Sequence, residues 1–66
     1  MNPELETLKR MLSAHDWHHE FSDDHQVWQR GWRALEDIRV EQRRLVVLGL
    51  ATQEQVQDLY NLYAPG

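Results

Sequence analysis

Residues 16–31 hold the side chains best able to do chemistry. This segment contains two of the three tryptophans, three of the four histidines and four of the eleven acidic residues, with Arg30 as its one basic residue. Charged and aromatic groups at this density cannot all be buried cheaply, so some must pair with one another, bind a ligand or face water. Three kinds of chemistry fit the segment: ligand binding by aromatic rings, recognition of a partner by acids, and metal or acid–base chemistry.

Ligand binding is indicated by the aromatic residues. Trp28 and Trp32 are spaced one helical turn apart, and Trp17 is close in sequence. Aromatic faces stack on bases and arginines pair with phosphates, so a pocket at a subunit interface would suit a nucleotide-sized anion. The competing interpretation is that tryptophans at helical spacing are core residues. The candidate ligand-binding residues are Trp17, His18, His19, Trp28, Arg30 and Arg33.

A partner protein could instead be recognised by the acidic residues. Residues 16–24 carry four acids and no base, whereas residues 30–44 carry five arginines against three acids. The acidic turn could meet a basic patch or mimic nucleic acid, or it could mate head to tail with the basic middle of a second copy. Solvated helix faces with internal ion pairs would explain the same pattern. The candidate partner-binding residues are Asp16, Glu20, Asp23 and Asp24.

Metal or hydrolytic chemistry is the weakest of the three signals. His15, His18 and His19 have the spacing of one helical turn, and acids within residues 15–25 could complete a zinc, manganese or iron site. However, the chain has no HExxH motif, no cysteine, no glycine-rich phosphate loop and no serine in an elbow motif. A chain this small also has little room for a dry cleft. We therefore expect no cofactor, no metal and no enzymatic activity, with a small metal-dependent hydrolase as a further alternative.

Three helices would have to position these residues. Asn2 can cap the first helix with Pro3 at its first position, and an apolar stripe then runs until the helix fades near Ala14. Ser22 is expected to cap the second helix, which would run over about residues 23–48. Its apolar face would comprise Trp28, Trp32, Leu35, Ile38 and Leu45, interrupted by Gln42, with same-face ion pairs Arg33–Asp37 and Glu41–Arg44.

Glycines and a capping motif mark the remaining boundaries. Gly31, inside the second helix, costs up to ~1 kcal/mol relative to alanine, so a close backbone approach is one explanation and an unimportant exposed glycine is the other. Gly49 followed by Leu50 indicates a helix stop in the left-handed conformation. Thr52 and Gln55 form a capping box that begins the third helix. Its apolar stripe is Val56, Leu59, Tyr60 and Tyr63.

The predicted fold is all-α, a single domain over residues 1–66 in which two shorter helices pack antiparallel on a long central one. The central helix would reach about 39 Å at about 1.5 Å per residue, and its uncovered apolar surface predicts a homo-oligomer. The net charge of −4 argues against general nucleic-acid binding. The sequence has no signal-peptide pattern and its longest apolar run is too short to cross a membrane, so we expect a cytoplasmic protein without membrane contact.

The segment also carries a family resemblance. Residues 16–28 read Asp-Trp-His-His-Glu-Phe-Ser-Asp-Asp-His-Gln-Val-Trp, which resembles a pattern in short uncharacterised accessory proteins of tailed bacteriophages. The resemblance covers roughly residues 5–35, and His18 and His19 stand where those proteins tend to have tyrosines.

This resemblance implies a phage accessory protein that acts in the bacterial host cell. Such proteins inhibit a host enzyme, block a defence complex or sequester a nucleotide immune signal. Together with the Trp/His/Arg residues, the resemblance implies a non-enzymatic protein that neutralises a host component by binding a nucleotide-type signal in a helical oligomer. The alternative is an inhibitor that binds a host protein through the acidic turn.

Overall fold

Three α-helices and two short 3-10 turns form the protein in a computed structural model that describes residues 3–65. The predicted all-α fold with the middle helix longest is confirmed. The elements are a 3-10 turn at Pro3–Leu5, α1 (Glu6–Ala14), a second 3-10 turn at His19–Phe21, α2 (His25–Val47) and α3 (Gln53–Tyr63). The second 3-10 turn is called the connecting turn below. Of the helices in the described range, none is long and apolar enough to cross a bilayer.

Helix α1 contributes an apolar stripe to the core. The predicted cap at Asn2 lies outside the described residues. The helix ends at Ala14, as expected, where the His15 N–H donates to the Met11 carbonyl at 3.1 Å. Leu8 and Leu12 are fully buried, so the period of the apolar residues identified the inner face of this helix.

The start of α2 differs from the prediction. The capping residue is Asp24, whose Oδ1 accepts the N–H groups of Gln26 at 2.9 Å and Val27 at 3.4 Å. Ser22 lies two residues earlier, and its Oγ accepts the Asp24 N–H at 3.1 Å. Both residue types cap helices well, but the ionised carboxylate also gains from the positive end of the helix dipole. The helix therefore begins at His25.

The end of α2 has the predicted glycine stop. Gly49 has a φ of 71°, in the left-handed region that glycine adopts without strain. Its N–H donates to the Val46 carbonyl at 3.1 Å, and the Leu50 N–H donates to the Leu45 carbonyl at 2.9 Å. These two bonds are those of a Schellman motif, which satisfies carbonyls that the helix end would otherwise leave unpaired.

The predicted capping box at the start of α3 is also confirmed. Thr52 Oγ1 accepts the Gln55 N–H at 3.1 Å, and Gln55 Oε1 accepts the Thr52 N–H at 2.9 Å. Because this box follows the Schellman motif within a few residues, the chain reverses sharply and α3 packs back on α2. Gln42 joins the two helices by donating from Nε2 to the Val56 carbonyl at 3.3 Å.

The core is aliphatic and lies along the C-terminal half of α2. Leu35, Ile38 and Leu45 are buried as predicted, but Trp28 and Trp32 remain 39% and 43% exposed. The competing interpretation of these two tryptophans as core residues is therefore wrong in this structure. Helix α1 ends too early to reach them, and the connecting turn is too short to cover two indole rings. The buried hydrophobic cluster comprises Leu8, Leu12, Ile38, Leu45, Ala51 and Val56.

Charged side chains of α2 form one of the two predicted ion pairs. Arg44 Nε and Nη2 donate to the Glu41 carboxylate at 2.9 and 2.8 Å. This two-point contact lowers the pKa of the Glu41 carboxyl group and compensates for its burial. Arg33 and Asp37 do not belong to the three ion pairs found within residues 3–65.

Candidate functional site

We call the connecting turn and the N-terminal half of α2 the aromatic end, because Trp17, Phe21, Trp28 and Trp32 lie there or beside it. A close contact at Gly31 holds its two parts together. A Cβ atom at this position would lie 2.8 Å from the His19 Cβ and 2.9 Å from the Glu20 backbone nitrogen. Separations this short do not occur between real side chains and backbone, so only glycine lets the connecting turn lie directly on α2. The close-approach explanation for Gly31 is therefore the correct one.

A buried pair fixes the same turn from the other side. His15 Nε2 lies 2.5 Å from Glu20 Oε1, and the two side chains are only 2% and 8% exposed. The pair joins the end of α1 to the connecting turn. Because its carboxylate is bonded to His15 and nearly buried, Glu20 is a structural residue rather than an outward-facing acid.

Trp17 packs between His15, at the end of α1, and Tyr60 of α3. Its ring meets the His15 ring edge-on, with centroids 4.6 Å apart, and the Tyr60 ring edge-on at 5.6 Å. These contacts tie the α1–α2 connection to α3. Trp17 is thus half-buried against the core, and it also lines the cleft described next.

An open cleft of about 230 Å³ lies where the connecting turn, α2 and the end of α3 meet. Phe21, which is 80% exposed, and Trp32 stand among its walls. We call it the aromatic cleft. Its volume is below the ~300–1,000 Å³ of enclosed small-molecule pockets, so it suits one large apolar side chain better than a whole nucleotide. The lining residues are Trp17, Glu20, Phe21, Trp32, Leu35, Tyr60, Ala64 and Pro65.

Trp28 extends the aromatic surface beyond the cleft. Its ring contacts the Trp32 ring at a centroid distance of 6.2 Å and stacks on His25 at 5.6 Å with an interplanar angle of 16°. The edge of the cleft therefore continues into a second exposed ring, which enlarges the apolar area open to solvent.

The two arginines of the predicted ligand site differ in how they lie relative to these rings. Arg30 follows Trp28 by two residues and so lies about 200° around the helix, on the opposite side. Arg33 lines a second open depression together with Trp32, Glu36 and Asp37, so it shares one wall, the Trp32 ring, with the aromatic cleft. A nucleotide site assembled from several copies of the chain stays a prediction.

The two histidines of the predicted ligand site also lie apart from the cleft lining. His18 is exposed. His19 Nε2 lies 3.1 Å from Asp16 Oδ2. These side chains are therefore arranged around the connecting turn, on the outside of the molecule.

The acidic turn bonds largely to itself. Asp16 Oδ1 accepts the His18 N–H at 3.0 Å, and this bond, helped by the nearby His19, lowers the pKa of the Asp16 carboxyl group. Asp24 caps α2 and Glu20 is bonded to His15. Asp23 is also exposed, and of these four acids it is the one without a side-chain hydrogen bond within residues 3–65. The four charges remain at this end of the chain, but three serve local structure.

The metal alternative has no geometric support in the described residues. In that range, no group of three or more histidine, cysteine or carboxylate side chains is placed to hold a metal ion. His15 illustrates why, since its ring is used in the pair with Glu20.

Compared with models of protein families, with curated proteins and with solved structures, the chain matches none. The geometry of the aromatic end is therefore the basis for a functional conclusion. Of the residues that line the cleft, Trp17 and Glu20 belong to the predicted site residues. The lining residues outside those predictions are Phe21, Trp32, Leu35, Tyr60, Ala64 and Pro65. The spacing of Tyr60 indicates packing. Pro65 is the sequence signal for the end of α3, where the chain reaches the edge of the cleft.

Proposed function

We propose that this chain is a non-enzymatic binding protein whose aromatic cleft takes up an apolar side chain of a partner protein. The carrying observation is the exposure of Phe21, Trp28 and Trp32 beside a preformed cleft. Water contact with large rings is costly, and contiguous exposed apolar patches on small proteins mark interaction surfaces. Tryptophan beside a pocket is also a frequent anchor of binding energy at protein interfaces.

The lining of the cleft favours a protein partner over a nucleotide. Of its lining residues in the described range, Glu20 alone is charged, and it is bonded to His15. A phosphate group would therefore meet no cation there, and the net charge of −4 would oppose its approach. An uncharged apolar side chain meets neither obstacle.

The charge around the cleft suggests the chemistry of the partner. Residues 16–24 carry four acids and no base, so the field at this end is negative. A partner helix with one large apolar anchor and basic residues on either side would complement both the cleft and its surroundings. Following the phage resemblance, we propose that this partner belongs to the bacterial host and that binding neutralises it.

Synthetic amphipathic peptides provide a direct test. One series carries a single leucine, phenylalanine or tryptophan anchor flanked by lysines, and a matched series replaces the lysines with glutamates. We expect the lysine series to bind by titration calorimetry and to shift the amide NMR signals of Phe21 and Trp32. The glutamate series should bind at least tenfold more weakly, since like charges would oppose it.

Variants of the chain make the test specific. Trp32→Ala and Phe21→Ala should abolish peptide binding while the helical circular dichroism is unchanged. Leu62→Ala is the matched control, because Leu62 is 74% exposed on α3 and does not line the cleft. Equal peptide binding by all three variants would refute the proposal that the aromatic cleft is the binding site. Binding of adenine nucleotides in place of peptides, lost on Arg33→Ala, would favour the nucleotide prediction instead.

A further inference from the structure

The outer face of α2 carries the spacing of a helix–helix seam, and no other helix within residues 3–65 covers its apolar side chains. Arg33, Glu36, Val40, Arg43 and Val47 follow one another at steps of three, four, three and four residues. This alternation places side chains in one line along a helix that packs on another helix. Val40 and Val47 are 60% and 76% exposed, so the apolar part of this line meets solvent. We call these five residues the outer face.

The outer face lies opposite the side of α2 that packs on the connecting turn. Val40 follows Gly31 by nine residues, which places it about 180° around the helix at about 100° per residue. Gly31 faces the connecting turn. The outer face therefore points away from the connecting turn, and its N-terminal residues Arg33 and Glu36 border Trp32, with which they line an open depression.

Charges on and beside this face are arranged with opposite signs about Val40. Glu36 precedes Val40 and Arg43 follows it, and the pair Asp37 and Arg44 repeats the pattern one residue further along. In each pair the acid and the base are seven residues apart, or two helical turns, so they lie on the same flank. Glu36, Asp37 and Arg43 take no part in the ion pairs found within residues 3–65.

This arrangement fits a second copy of the chain packed antiparallel. A two-fold axis through Val40 brings each copy's Val40 onto the other's. Glu36 lies about 6 Å before Val40 and Arg43 about 4.5 Å after it along the helix axis, so Glu36 meets the second copy's Arg43. By the same symmetry Asp37 meets the second copy's Arg44. A parallel arrangement would instead oppose like charges at every position.

We propose that the outer face of α2 binds a second copy of this chain to form an antiparallel two-fold dimer. Such an interface is isologous, with each contact made twice. Val47 would pack on the aliphatic stem of the second copy's Arg33, whose charged end reaches water. The seam is narrow and its ion pairs are exposed, so the dimer is weak and its dissociation constant rises with salt. The dimer presents two aromatic clefts.

The test measures self-association by sedimentation velocity over a range of protein concentrations at low and high salt. Wild type should dimerise at low salt and dissociate at high salt. Glu36→Arg and Arg43→Glu should each weaken dimerisation at least tenfold, because each homodimer then contains two repulsive pairs. Asp58→Arg, the same change of charge on an exposed residue of α3, should dimerise like wild type.

Mixing the two charge variants gives the sharpest result. In the mixed dimer, the arginine introduced in one chain would face the glutamate introduced in the other, and the remaining pair would be native, so both attractions return. Equal amounts of Glu36→Arg and Arg43→Glu should therefore form a heterodimer although neither variant dimerises alone. Val40→Asp is an independent disruption, since it puts two carboxylates on the symmetry axis. A monomeric wild type, or a mixture that stays monomeric, would overturn the proposal.

Discussion

The two halves of α2 have opposite surroundings. Along its C-terminal half, Ile38 and Leu45 are at most 1% exposed, because both α1 and α3 pack on them. Along its N-terminal half, the connecting turn is the main cover, and Trp28 and Trp32 keep about two-fifths of their surface in water. The apolar period continues through both halves, so the difference comes from what lies opposite and not from the helix itself.

This contrast separates stability from binding. Full burial of an aliphatic side chain contributes about 1.5–3 kcal/mol, and the C-terminal half collects several such contributions. In the N-terminal half, the rings of Trp28 and Trp32 are only partly buried, so they contribute less to stability than their size would allow. A helix that is closed at one end and open at the other provides a rigid support for rings that face a partner.

The largest expected effect tests this division directly. Leu45→Ala should lower the free energy of unfolding by about 2–5 kcal/mol, because it leaves a cavity where three helices meet. Trp32→Ala should lower it by less, about 1–2 kcal/mol, since about two-fifths of the Trp32 surface is in water already. Both are measured by denaturant unfolding at equal protein concentration. Equal losses would mean that Trp32 belongs to the stabilising core, and the contrast would then fail.

The next effect concerns how the connecting turn is seated. Gly31→Ala should cost about 1–3 kcal/mol, because the new methyl group overlaps the backbone of the turn. Helix propensity alone would give the opposite sign, a gain of about 1 kcal/mol. Gln29→Ala, at an exposed position of the same helix, is the control and should change little. A stabilising Gly31→Ala would show that the turn does not rest on α2.

The smallest expected effect on stability comes from the Glu41–Arg44 ion pair in the C-terminal half of α2, and it depends on pH. Bonding to Arg44 lowers the folded-state pKa of Glu41 below its ordinary value of 4.5. Its contribution is therefore present above that value and is lost as the pH falls through the folded-state pKa. Glu41→Gln should destabilise the chain by less than about 1 kcal/mol at neutral pH, and the difference from wild type should disappear as the pH falls below the folded-state pKa of Glu41.

Thermal unfolding at a series of pH values measures this effect. Asp58→Asn, which alters an exposed acid outside the three ion pairs of residues 3–65, should leave the pH dependence of wild type intact. If Glu41→Gln kept the full acid sensitivity of wild type, the Glu41–Arg44 contact would carry no stabilisation.

Local rules explain why most of the fold could be predicted from the sequence. The left-handed Gly49, the capping box at Thr52 and the buried faces of α1 and α3 each depend on residues within one or two turns. The predicted start of α2 differs by two residues because Ser22 and Asp24 are both good caps, and the choice between them depends on the turn before them.

The candidate site could not be predicted in the same way. Exposure of Trp28 depends on how far α1 and the connecting turn extend, which is a tertiary property. The cleft combines Trp17, Trp32 and Tyr60, which come from three separate segments. The sequence did locate the segment that carries most of the unusual side chains. The expected grouping of Trp28 with Arg30 was wrong for a single chain, because residues two apart lie on opposite sides of a helix.

The distribution of the indole rings has a practical consequence. All three tryptophans lie at the open end, and the buried aliphatic cluster contains none. Tryptophan fluorescence therefore reports mainly on the N-terminal half of α2 and the connection before it, whereas backbone spectroscopy averages over every helix. A chain that loosens first around the connecting turn would change its emission before it loses helicity, so the two signals recorded together reveal whether this molecule melts as one unit.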